Sequence, residues 1–218
     1  MREQNYAHHM IVVLLSLLIT GHAFGQRQVV GARARAGAGG AMDRDTVRVR
    51  KLEWYDGDSE IETPQYDSTA ARGVTRPGVW RQFIVEYETR EEWVDELTFE
   101  FHVLALGKSE GKRVYSYYTT RVSYIDVPKD RDHMATVFLR PNTIERYGVP
   151  VAFGVEIYHK GKMVAQETEA RTKLSKTWWK DPNVMDSALV KKREKYLLNR
   201  GLTPFALVDV DAYQTIKP

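Results

Sequence analysis

Between Glu96 and Leu106 the apolar residues Leu97, Phe99, Phe101, Val103 and Ala105 alternate with Glu96, Thr98, Glu100 and His102. Successive side chains of a strand point to opposite faces. This text therefore specifies a half-buried antiparallel strand, with one face in a core and the other in water. A helix would scatter the same apolar residues around its circumference. A strand of this kind needs partners with matching faces, and the rest of the chain must supply them.

It does so repeatedly. Val47, Val49, Leu52 and Trp54 mark a first strand, irregular at Lys51. Another runs from about Trp80 to Thr89, with Phe83, Val85 and Tyr87 on one face and Gln82, Glu86 and Glu88 on the other. After a hairpin loop at Gly107–Lys112, residues 113–127 return with Val114, Tyr118, Val122 and Tyr124 inward. A strand follows at about His133–Leu139, then a single helical turn from Pro141 to Tyr147 closed by Gly148. Val149, Val151, Phe153, Val155 and Ile157 face inward on the next strand, and the two-residue turn Lys160-Gly161 returns the chain through Lys162–Ala170. With 12 Tyr, 7 Phe and 5 Trp, the composition also favours strands. Seven strands joined largely by short turns predict an all-β, immunoglobulin-like antiparallel sandwich over residues 46–170, with a short C-terminal helical or extended extension.

The ends of the chain read differently. Arg2 precedes an apolar run from Met10 to Thr20, followed by small residues at Ala23 and Gly25. A charged start, a short apolar stretch and a small-residue exit predict a secretory signal peptide over residues 1–25, cleaved after Gly25. The run is about half the length a membrane-spanning helix needs, so no stable membrane span is expected after cleavage. The predicted cleavage lies after the apolar run, whereas type IV pilins are cleaved before it. Residues 26–45, rich in Gly, Ala and Arg, predict a flexible leader. The chain has no cysteine, which excludes both a disulfide framework and a lipid-attachment cysteine. Export without disulfides suits a bacterial envelope: periplasm, or association with the outer membrane or cell surface.

Residues 171–218 predict an extension packed on the sandwich. Within it Asp186–Arg200 has helical character, with Gly201 as its stop, and Thr203–Val208 reads as extended. The run Lys191-Lys192-Arg193-Glu194-Lys195 suits either a solvated helix face or an acidic partner.

Catalytic chemistry is not visible. His102, His133 and His159 each lie on or beside a different strand, without metal-ligand spacing, and read as surface residues. There is no nucleophile elbow and no cysteine nucleophile. The loop from Asp56 to Glu60 is the nearest approach to a calcium site, and it lacks the full ligand run. No cofactor, metal or catalytic residue is assigned. A net charge of +3, with basic and acidic residues interleaved, gives no nucleic-acid footprint. The candidate contact residues are Tyr115, Tyr117, Trp178 and Trp179. Either they form a surface for a protein or a sugar ring, or the extension covers the tyrosines and the tryptophans seal that contact.

The alternating strands from Glu96 to Val127, the Lys160-Gly161 hairpin, the Trp178-Trp179 pair and the tail from Leu197 to Ala206 together resemble a group of small secreted proteins of verrucomicrobia. These are immunoglobulin-like proteins encoded beside secretin and type IV pilus-like assembly genes. The resemblance covers most of residues 45–215 and implies a non-enzymatic accessory or structural role in an envelope pilus-like or secretion assembly. The expected partners are then envelope proteins of that machinery. The alternative is a carbohydrate-binding module that uses surface aromatics on a glycan.

Overall fold

The computed structural model describes residues 46–54, 59–64 and 78–218. Its strands are β1 (Val47–Glu53), β2 (Glu60–Glu62), β3 (Val79–Thr89), β4 (Trp93–Ser109), β5 (Lys112–Pro128), β6 (His133–Leu139), β7 (Val149–His159), β8 (Lys162–Ala170), β9 (Val190–Arg193), β10 (Leu197–Asn199) and β11 (Thr215–Ile216). Two short helices, α1 (Pro141–Tyr147) and α2 (Pro182–Met185), complete the set with several 3-10 turns. The predicted signal peptide, its cleavage site and the leader lie outside the described residues, as does most of the Asp56–Glu60 loop. Among the described residues no helix is long and apolar enough to cross a membrane.

The strands form a sandwich of two sheets. One runs β1-β3-β6-β10, with β2 also paired to β3; the other runs β11-β5-β4-β7-β8, with β9 also paired to β5. Phe83, Val85 and Tyr87 of β3 and Ala135, Val137 and Leu139 of β6 face Leu97, Phe99, Phe101, Val103 and Ala105 of β4. Phe153, Val155 and Ile157 of β7 complete the inner layer with Tyr118, Val122 and Tyr124 of β5. Burying each of the larger of these side chains contributes about 1.5–3 kcal/mol, so this interior is the main support of the fold. The tight turns at Glu110-Gly111 and Lys160-Gly161 both place two residues in the left-handed region, which matches the twist of the strands they join.

Several expectations are corrected. Eleven strands are present among the described residues where seven were expected, because four short ones (β2, β9, β10 and β11) pair onto strands already in the sheets. The hairpin loop at Gly107–Lys112 is shorter than expected, since β4 and β5 pair through Ser109 and Lys112. The irregularity in β1 is a bulge between Val49 and Lys51. A second bulge, between Ala152 and Pro150 on β7, turns Val151 out of the inner layer and leaves Val149 exposed.

The predicted helix over Asp186–Arg200 does not form. That segment contains β9, which runs parallel to Tyr115–Tyr118 of β5, and β10, which pairs with β6. Backbone groups at open sheet edges can be satisfied by one added strand, and this tertiary gain overrides a moderate helical preference. Thr203–Val208 is not extended either, since Pro204–Leu207 is a 3-10 turn capped by the Thr203 hydroxyl. Its Phe205 packs on Trp80 and Phe138 at the outer face of the first sheet. The C-terminal region thus touches the outer faces of both sheets and pairs at an edge of each.

Candidate functional site

The outer face of the second sheet carries the residues that sequence reasoning singled out. Register sets His102 of β4 opposite Gly154 of β7, and Gly154 opposite Thr168 of β8. Leu104 lies between Tyr117 of β5 and Ala152 of β7. On this floor rests residues 174–190, folded as the 3-10 turn Trp178–Lys180 and then α2, whose first turn is capped by the Asp181 carboxylate accepting from Asn183 N–H at 2.9 Å.

Trp178 and Trp179 are both buried. On a 3-10 turn the two rings meet edge to face, with centroids 5.4 Å apart. Trp179 stacks on His102 at 4.6 Å and 11°. Trp178 donates its indole N–H to Thr168 Oγ1 at 3.1 Å and meets Tyr117 edge-on at 6.0 Å. Tyr117 is buried and Tyr115 packs at the margin of the same cluster. The structure therefore brings all four candidate residues into one seam, where they contact the chain itself.

Gly154 is what admits Trp179. A Cβ at this position would lie 2.3 Å from the Trp179 ring, and two more ring carbons would be within 2.9 Å. Gly154→Ala is expected to lift the indole and destabilise the fold by about 2 kcal/mol, the usual effect of overpacking. Equilibrium denaturation checks this, and a change below about 0.5 kcal/mol would mean that the seam absorbs a methyl group freely.

A buried polar group runs beneath the tryptophans. His102 Nδ1 and the Tyr117 hydroxyl are hydrogen-bonded at 2.8 Å, and His102 Nε2 lies 3.7 Å from Glu156 Oε2. Glu156 also accepts from the Tyr158 hydroxyl at 3.1 Å and pairs with Lys180, the residue after the two tryptophans. Burial pushes His102 down to about 4, against the opposing pull of Glu100 and Glu156, so the imidazole is neutral at pH 7. Burial pushes the Tyr117 phenol up to about 12. For Glu156, burial acts to raise the carboxyl, but Lys180 and Tyr158 outweigh it and hold the group below its ordinary range.

All three histidines expected at the surface are buried. His133 Nε2 lies 2.8 Å from the Pro128 carbonyl and 3.0 Å from Thr89 Oγ1, while Nδ1 meets the Gln214 side chain at 3.0 Å. His159 Nδ1 lies 3.2 Å from the Glu96 carbonyl. Each histidine ties one part of the fold to another, and they lie on different strands. Among the described residues no group of three or more His, Asp or Glu side chains is placed to hold a metal ion. At the C-terminal end of the Asp56–Glu60 loop, Ser59 is buried and Glu60 pairs with Arg81.

Sequence reasoning missed the apolar residues that do face outward. Leu202, Leu207 and Val210 are 64%, 77% and 51% exposed, on successive 3-10 turns of the C-terminal region, and Trp93 is 62% exposed at the start of β4. The signal available was Thr203-Pro204, a capping hydroxyl followed by a proline suited to the first position of a helical turn.

No curated protein matches the chain. A crystal structure of a protein from Akkermansia muciniphila, a verrucomicrobium, is similar to it with a TM-score of 0.67 and 24% identity, covering 79% of this chain and 93% of that one. At that identity the likeness shows the fold. The family model matches residues 41–218, which takes in both sheets and the whole C-terminal region, and the chain belongs to that family.

Proposed function

We propose that this is a non-enzymatic exported envelope protein, an accessory or structural component of a pilus-like or secretion assembly that acts through protein–protein contacts. The observation that carries the reading is the distribution of its side chains. The histidines and Glu156 are committed to internal contacts, whereas exposed apolar side chains collect on the C-terminal turns at Leu202, Leu207 and Val210. Apolar side chains grouped on a surface mark contact sites.

Strand addition is the less favoured route. The long edge strand β1 is interrupted by a bulge at Arg50 and carries alternating charge; the edge strand β8 is interrupted by a bulge at Val164. Both devices discourage pairing with a foreign strand. The remaining edges are partly occupied by β9, β10 and β11. Docking through the C-terminal turns is the route that these features leave open.

The test is recovery of cross-linked partners from envelope extract with wild type and with the Leu202→Asp/Leu207→Asp pair. The pair is expected to lower recovery on the order of tenfold, the scale of losing an interface anchor, with the melting temperature unchanged. Val149→Asp, another exposed apolar position, on β7, is the control and is expected to leave recovery intact. Undiminished recovery with the pair would remove the C-terminal turns from the assembly role.

A further inference from the structure

The basic run Lys191–Lys195 is not a solvated helix face. It is β9 followed by a turn in which Lys195 adopts a left-handed φ of 64°. Arg193 and Lys195 both lie near Tyr147. Arg193 and Lys195 each line a separate cleft there, of about 310 and about 350 Å³ respectively. Arg193 shares its cleft with Lys108, Lys195 shares its cleft with Arg140, and Arg146 and Tyr147 line both.

Five cations therefore line two clefts that share Tyr147, and no carboxylate lines either cleft. Among the described residues none of the five forms an ion pair. By contrast Arg48, Arg50, Arg81, Arg121, Lys180 and Lys217 each lie within 4 Å of a carboxylate. Arg193 is also held in place. Arg193 Nε donates to Ser116 Oγ at 2.9 Å, and its guanidinium lies 3.6 Å from the centre of the Tyr147 ring. Arg146 lies 5.1 Å from the same ring, and Tyr147 meets Tyr196 edge-on at 5.5 Å. Uncompensated cations held at fixed positions raise the local concentration of anions, and guanidinium groups match the geometry of oxyanions.

We propose that these paired clefts bind an acidic saccharide, one whose phosphate, sulfate or carboxylate groups sit on linked sugars that straddle Tyr147. The cations supply recognition of the oxyanions. The other polar walls, Asn142 and Thr143 in one cleft and Ser109 and Ser116 in the other, offer amide and hydroxyl groups that suit sugar hydroxyls and have little to offer an apolar ligand. The inference is independent of the assembly role, since the clefts share no residue with Leu202, Leu207 or Val210.

Isothermal titration of the purified protein would use four probes. These are a sulfated heparin octasaccharide, a phosphate-bearing lipopolysaccharide core oligosaccharide, an uncharged dextran of similar length and polyglutamate. Binding of at least one of the two acidic saccharides is expected, and which of them binds names the oxyanion. Arg146→Glu, which alters both clefts, is expected to weaken it on the order of tenfold or more, the scale of one charge-assisted contact. Arg140→Glu and Lys108→Glu, each touching one cleft, are expected to weaken it less. Lys129→Glu, an equal charge change away from both clefts, is expected to change it less than about twofold. Four results would each overturn the proposal: no binding of either acidic saccharide, equal binding of dextran, polyglutamate binding as tightly, or an equal loss with Lys129→Glu.

Discussion

Trp178→Ala is expected to destabilise the protein by about 3–5 kcal/mol, the range for removing a buried large aromatic. Trp178 is fully buried, and its loss removes more than volume. Thr168 Oγ1 would lose the indole N–H it accepts, although it still donates to the Phe153 carbonyl at 3.0 Å. Trp179 would lose its edge-to-face neighbour, and with it part of what holds its own ring on His102. Domains of this size are stable by roughly 5–15 kcal/mol, so such a loss removes a large share of the total. Denaturant titration followed by far-ultraviolet circular dichroism measures it. A single transition at a lower midpoint is the expected result, because the extension and the sheets share one fold. A loss below about 1 kcal/mol would show that residues 174–190 are a loose cover. The same reasoning predicts that truncation at residue 170 is not a neutral way to probe binding. It would delete β9, β10 and β11 and uncover the floor formed by Leu104, Tyr117 and Ala152.

The inner layer was legible because burial and strand period coincide there. From Leu97 to Ala105 all five predicted inward residues are in the core, and the same holds for Phe83, Val85 and Tyr87. The outer layer was less legible, although β4 carries a trace of it. Its outward side chains are Glu96, Thr98 and Glu100, then Leu104 and Leu106 beyond His102. That change from polar to apolar marks where the extension begins to cover the sheet, and His102 stands at the boundary. The bulge at Val151 was not legible, because alternation alone does not reveal an inserted residue that swaps the two faces. Nor was the strand character of Val190–Arg193. A four-residue segment takes its conformation from the edge it meets, and that edge lies more than 70 residues earlier in the chain. For the contact residues, the sequence located the four aromatics and left open whether they faced outward or were covered. The 3-10 turn at Trp178–Lys180 decides this locally by bringing both indoles onto one side.

Stability is expected to fall as pH drops from about 6.5 toward about 4, and His102 is the main cause. Its folded-state value is pushed down to about 4 by burial, from an ordinary value of 6.5. Between those limits the unfolded chain takes up a proton that the folded chain refuses, so acid favours unfolding. The contribution is complete above about 6.5 and is lost progressively below it. At about 1.4 kcal/mol per pH unit, acidification to pH 5 removes about 2 kcal/mol and the whole interval about 3 kcal/mol. Glu156 adds a loss of the same sign at lower pH, because its carboxyl is held below the ordinary range and its contribution disappears only when it is protonated in the fold. The two windows separate in His102→Phe, which keeps a flat ring beneath Trp179 but cannot titrate. This variant loses the Tyr117 hydrogen bond and starts less stable, so slopes are compared and not absolute values. Denaturant titrations at several pH values should show the upper slope in wild type and a nearly level profile in the variant down to about pH 5. Tryptophan fluorescence adds a local readout, since a charge on His102 is most easily relieved by lifting the indole stacked 4.6 Å above it. Parallel profiles for the two proteins would mean that His102 takes its proton without disturbing the seam, and that the Trp179 stack does not exclude water from it.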